Sequence, residues 1–182
     1  MPILFNLARY RKPGDIFTEV GTGWGCGVDD ALNAGFERVD TCEVNKQRFK
    51  FIEEVYRGDP RVVACHDIGK NFMRRIMRED RGSRRVWWLD TKADDGGTTK
   101  VPQEATTLRE LQILILRERC GDTVMINNVD RFGKRGWGKK TKLKNVLEDL
   151  HKLFKPAVVL RKTNYRKDDV IVAFQEGTYD FG

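Results

Sequence analysis

Three observations predict an α/β sandwich in which a mostly parallel, seven-stranded sheet lies between two layers of helices. Strand-like and helix-like stretches alternate five times along the chain. Runs such as VWWL and TVMI are apolar throughout, as strands covered on both faces should be. The chain then closes on two strands with no room for a helix between them, so these two should pair antiparallel. The 182 residues suit one domain over 1–182 with a substantial core.

The first strand is expected over residues 15–20 (DIFTEV) and stops at a run of glycines. A short helix over 28–34 follows, ended by Gly35. Residues 38–43 (RVDTCE) alternate like a strand, and 46–56 carry Phe49, Ile52 and Tyr56 at helical spacing before Gly58 and Pro60. Residues 61–65 are β-branched and short, hence the third strand. Ile68, Phe72, Ile76 and Met77 mark a helix over 68–77. The fourth strand, 84–90 (RRVWWLD), ends in an acid and leads into a polar loop over 91–103. Leu108, Leu111, Ile115 and Leu116 line one side of a helix over 104–119, and 123–127 (TVMIN) is the fifth strand. A basic, glycine-rich loop precedes an amphipathic helix over 141–154, where Leu143, Val146, Leu147, Leu150 and Phe154 face inward. Strands over 157–160 and 170–174 complete the sheet.

Composition narrows the class. A hydrophobic fraction of 40% beside 34% charged residues is globular rather than disordered. No apolar run reaches the ~20 residues of a membrane span, and residues 1–13 lack the apolar core of a secretory signal. Cys26, Cys42, Cys65 and Cys120 are scattered and form no Cys-x-x-Cys pair; free thiols in a reducing, cytoplasmic compartment are the expectation. With two histidines, neither at ligand spacing from a cysteine, no zinc site is expected.

In open α/β sheets, ligands bind beyond the carboxyl ends of the strands. The first strand brings Glu19 and a glycine loop there, the second Glu43, the third His66 and Asp67, the fourth Asp90, and the fifth Asn127, Asn128 and Asp130. Gly21, Gly23 and Gly25 allow close approach of a ligand to the backbone, and the next helix aims its amides at the same place. The spacing discriminates between ligands. A dinucleotide fingerprint needs glycine where Cys26 stands, and no lysine follows Gly27 to meet a phosphate, so the loop suits a ligand without a pyrophosphate.

The segment Glu19-Val20-Gly21-Thr22-Gly23-Trp24-Gly25 resembles the first motif of the class I S-adenosylmethionine-dependent methyltransferases, a Rossmann-like family. Glu43 matches that family's acid for the ribose hydroxyls. Cys65-His66-Asp67-Ile68 resembles the segment bordering adenine, and Asp90 falls where the fourth motif meets the methyl group and the acceptor. The antiparallel closing strand is also the family's habit. The resemblance covers about residues 15–175. It implies S-adenosylmethionine as cofactor, with Glu19, Gly21, Thr22, Gly23, Trp24, Glu43, Val44, His66, Asp67, Ile68 and Asp90 around it and Asp90 as the catalytic residue. In that site Glu19 and Asp90 would keep the potential negative around the sulfonium, and Trp24 would either offer it a ring face or serve in core packing or a lid. The sequence departs from two subgroups. No Asn-Pro-Pro-Tyr or Asp-Pro-Pro-Tyr follows the fourth strand and no Pro-Cys pair exists, which argues against methylation of base amino groups and of cytosine carbon 5.

The formal charge of +7 favours anionic partners. Arg131, Lys134, Arg135, Lys139, Lys140, Lys142 and Lys144, with Phe132 and Trp137 among them, form a basic rim that suits a nucleic acid; a solvated loop is the plainer reading. A second cluster, Arg74, Arg75, Arg78, Arg81, Arg84 and Arg85, is expected at the surface. Two other readings stay open on sequence: a protein that holds the cofactor without transferring a methyl group, and a nucleic-acid-binding module whose glycine loop is structural.

Overall fold

The computed structural model describes residues 2–90, 106–116, 121–132, 142–164 and 166–180. Seven strands form one sheet: β1 (Ile16–Val20), β2 (Arg38–Glu43), β3 (Val62–His66), β4 (Arg85–Leu89), β5 (Thr123–Ile126), β6 (Ala157–Lys162) and β7 (Val170–Gln175). Their order is β3-β2-β1-β4-β5-β7-β6. The first five run parallel, while β7 lies antiparallel between β5 and β6. Strand order reverses between β1 and β4, so the two ends that meet there are those of Val20 and Leu89.

The strands sort their side chains by alternation. On one face Val20, Cys42, Trp87, Leu89, Val124 and Ile126 pack under α3 (Gly69–Glu79), α4 (Thr106–Ile115) and α5 (Leu143–Leu153). On the other, Phe17, Val39, Val86, Trp88 and Met125 meet Val28 and Ala31 of α1 (Cys26–Asn33) and the N-terminal residues Ile3, Leu7 and Tyr10. Helix α2 (Lys46–Val55) buries Ile52 and starts on Asn45, whose side chain accepts the amides of Gln47 and Arg48 at 3.0 and 3.1 Å. Trp87 and Trp88, adjacent in sequence, are both fully buried and serve opposite cores. Among the described residues no helix is long and apolar enough to cross a membrane.

The expected elements sit within a few residues of the observed ones, with informative differences. Helix α1 begins at Cys26 rather than 28, because Gly25 takes a left-handed conformation (φ 89°) and caps it directly. Strand β3 runs on to His66, paired with Glu43. The second arginine cluster is not a surface patch throughout. Arg85 is fully buried and donates to Thr18, Asp40 and Asp80, and Arg84 donates to Asp15, Tyr179 and the Gly121 carbonyl. Both tie the amino ends of the strands together, a role that a run of arginines does not announce. The polar loop over 91–103 and most of the basic loop, residues 133–141, lie outside the described residues, as does Cys120.

Candidate functional site

Where β1 ends, the chain must turn beside the end of β4. Gly21 makes that turn at φ 91°, and a side chain there would meet the Asp90 carbonyl oxygen at 2.7 Å. Glycine is therefore required twice over, by conformation and by space. Thr22 is buried; its hydroxyl hydrogen-bonds that of Thr41 and donates to the Cys42 carbonyl at 3.0 Å, which pins the loop to β2. A Cβ built on Gly23 would have no atom within 4 Å.

Glu43 closes the second side. Its Oε2 accepts the Gly23 amide and its Oε1 the Asn45 amide, both at 2.8 Å. The carboxylate thus bridges the glycine bend and the cap of α2. A carboxylate accepts about four hydrogen bonds, so each oxygen keeps capacity for one more. The third side is tied to the second: His66 Nε2 lies 3.0 Å from the Val44 carbonyl oxygen and its ring stacks on Phe49 at 5.3 Å. Next to it, Asp67 Oδ1 accepts from Ile68 N at 2.8 Å and Asn71 Nδ2 at 3.3 Å. Val44 is exposed and Ile68 partly so. The fourth side is Asp90, 2% exposed, whose Oδ1 accepts the side-chain amides of Asn127 at 3.0 Å and Asn128 at 3.1 Å. Asn128 holds a left-handed backbone (φ 60°, ψ 28°) to do so. Asp130, the acid after β5, instead accepts from Arg166 at 3.1 Å.

Two of the expected contributors sit differently. Glu19 is not on the rim. It lies under α1, with Oε1 2.1 Å from where a Cβ on Gly27 would be and Oε2 accepting from Thr41 at 3.1 Å. Burial first, and Asp90 second, push its carboxyl up to about 8, so at neutral pH it carries a proton and not the negative charge expected of it. Trp24 is 60% exposed and packs edge-on against Phe51 at 5.3 Å with the Arg48 guanidinium 5.8 Å from its centroid, on the side of α2.

Sequence reasoning also passed over two residues. Gly27 makes room for Glu19. Glu110 on α4 is fully buried, and among the described residues neither of its oxygens has a hydrogen-bond partner. Burial pushes it to about 8 as well. Its surroundings held no signal in sequence, because its place on the buried face of α4 shows only once the helix is docked.

No family model and no curated protein matches the chain. Solved structures do. A Streptococcus mutans protein named as a candidate methyltransferase, solved with SAH, superposes with a TM-score of 0.63 at 17% identity over 93% of each chain. An rRNA methylase of Streptococcus thermophilus gives 0.57 at 16% identity, over 93% of this chain and 91% of that one. The chain has the class I methyltransferase fold. The same fold also carries other reactions: the spermidine synthase of Thermotoga maritima gives 0.64 at 16% identity, over 98% of this chain and 61% of its own. The fold alone therefore does not say which reaction is carried out, and the site must be read for that.

Proposed function

We propose that this methyltransferase-fold protein binds S-adenosylmethionine and transfers its methyl group to an acceptor. The observation that carries the reading is the Glu43 bridge, because it holds the glycine bend and a carboxylate with spare acceptor capacity on one rim. The residues fit the cofactor piece by piece. Gly23 lies open for the methionine part, Glu43 would take the ribose hydroxyls, and Asp67, whose two hydrogen bonds among the described residues both go to Oδ1, would take the adenine amine. Val44 and Ile68 offer apolar flanks to the base.

Bound there, S-adenosylmethionine would supply an electrophilic methyl group, and the reaction is an in-line displacement. The chain's part is alignment. Asp90, held by Asn127 and Asn128 at the switch point, orients the incoming nucleophile of the acceptor through a hydrogen bond. Exclusion of water is the task of whatever covers the open rim at Gly23.

For the acceptor, nucleic acid is favoured by the formal charge of +7 and by the run of cations and aromatics over 131–144, which follows β5 and so issues from the same end of the sheet as Asp90. Cys26, Cys42 and Cys65 are free thiols, which fits a reducing, cytoplasmic setting. The test is transfer of a tritiated methyl group from the cofactor to lysate fractions treated with nuclease or with protease. Label lost only after nuclease, and lost again when Lys139 and Lys140 are neutralised, supports the reading. Label in neither fraction, from protein that binds the cofactor, leaves a binding protein without transfer.

A further inference from the structure

The outer face of α2 is more apolar than a solvated helix requires. Trp24 is 60% exposed, Phe51 44% and Val55 52%. Arg48, Phe51 and Val55 stand three and four residues apart, which sets them on one face of the helix, while Ile52 is buried on another. Trp24 lies beside that face, edge-on to Phe51 and with the Arg48 guanidinium 5.8 Å from its centroid. Tryptophan, aromatic neighbours and arginine are the residue types that carry binding energy in protein interfaces. The charges of α2 are also unusual. Lys46, Arg48 and Lys50 occupy its first half and Glu53 and Glu54 its second, with no acid in the first turn and no base in the last. That polarity opposes the helix dipole, which favours acids at the start and cations at the end.

We infer that this face docks a second copy of the chain, α2 against α2 in antiparallel sense across a twofold axis at Phe51. A twofold contact uses the same patch on both chains, so the patch must complement itself. The charges of α2 do so. With Phe51 on the axis, residues three positions to either side oppose one another, and Arg48 meets Glu54 of the second copy while Glu54 meets its Arg48. The basic head of each helix then lies over the acidic tail of the other, and the two dipoles run in opposite directions. Phe51, Val55 and Trp24 would supply the apolar centre. Glu54 pairs with Arg57 in the single chain, but both side chains are exposed, so solvent screens that pair and exchanging it costs little. A nucleic acid suits this stripe poorly, because Glu53 and Glu54 beside Val55 would repel its phosphates. The inference stands apart from the S-adenosylmethionine reading, since none of these contacts involves the ligand.

The experiment is sedimentation equilibrium of the full chain from about 1 to 100 μM, on the wild type, Arg48→Glu, Glu54→Arg, and a one-to-one mixture of these two variants. The wild type should reach twice the mass of one chain within that range. Each reversal alone sets like charges against each other twice across the axis and should raise the dimer dissociation constant about tenfold or more. The mixture should recover the wild-type constant to within about threefold, because each variant supplies the charge that the other has lost. That recovery also shows that both variants are folded. Phe51→Asp, a change at an exposed position, should leave the melting temperature of the single chain in place and abolish the dimer. A wild type that keeps the mass of one chain at every concentration overturns the inference. So does a dimer whose constant moves in neither reversal variant, or one that both variants weaken and the mixture fails to restore, since Arg48 and Glu54 would then not face each other.

Discussion

Gly23 and Glu43 are joined by a 2.8 Å hydrogen bond from the glycine amide to the carboxylate, across the gap between β1 and β2. The same carboxylate accepts from Asn45 at the start of α2. One side chain thus ties the glycine bend to the start of α2 and, in the proposed reading, presents acceptor oxygens to a ribose. Glu43→Ala should weaken S-adenosylhomocysteine tenfold or more, measured by calorimetry. An unchanged dissociation constant would mean that the ribose lies elsewhere.

Gly27 is the counterpart of Glu19. A methyl group there would fall 2.1 Å from an oxygen of the buried Glu19 carboxyl. Gly27→Ala should cost about 1–3 kcal/mol, read from the urea midpoint. The same change with Glu19→Ala in the background should cost much less, because the clash is then gone; equal costs in both backgrounds would place the strain elsewhere.

The proton on Glu19 predicts a difference between two ligands. Its carboxyl sits at about 8 through burial and the nearby Asp90, and a sulfonium cation close to it would favour the ionised form. Binding of S-adenosylmethionine at neutral pH should therefore release protons, seen as a dependence of the calorimetric heat on buffer ionisation enthalpy. S-adenosylhomocysteine, with no sulfonium, should release fewer. Glu19→Gln should remove the difference, and equal release with both ligands in the wild type would contradict it.

The two buried glutamates also set a direction for stability. Glu19 and Glu110 are both raised from about 4.5 to about 8 in the folded protein. Between those values the folded chain holds protons that the unfolded chain has released, so stability falls as pH rises through that window and levels off above it. Asp59 and Asp80, lowered to about 2, change stability only below the window. Urea midpoints should fall from pH 5 to pH 8, and Glu110→Gln should flatten the slope. A midpoint that rises over this range would contradict the burial of these acids in neutral form.

Asp90 depends on two amides for its orientation. Asn128→Gly keeps a left-handed backbone at φ 60° without penalty while removing one donor, so the fold should survive. Cofactor affinity should hold within about twofold, while the rate of methyl transfer should fall by about tenfold or more. A parallel loss of affinity and rate would assign Asn128 to cofactor binding instead.

Much of this arrangement was legible in the sequence, and the limits have physical causes. The alternation of elements and the closing antiparallel pair follow from periods of two and 3.6 and from chain length between elements, and the sheet has five parallel strands and that antiparallel pair. Strand-end acids such as Glu43 and Asp90 could be placed because strand ends are readable from apolar runs. Which face an end residue turns to was not readable, and so Glu19 was expected on the rim but lies beneath α1. Trp24 was open to two readings, a ring for the sulfonium or a packing or lid residue, and its ring contacts are with Phe51 and Arg48. Arg84 and Arg85 looked like surface charge because their partners, Asp15, Asp40 and Asp80, are distant in sequence or lie across a turn.

Calorimetric titration of the wild-type protein with S-adenosylhomocysteine tests the central claim most directly. Saturable binding at one site per chain, with a matching rise in melting temperature, is the expected result. No heat and no rise in melting temperature at millimolar ligand would contradict it, and would leave the class I methyltransferase fold serving some other purpose here.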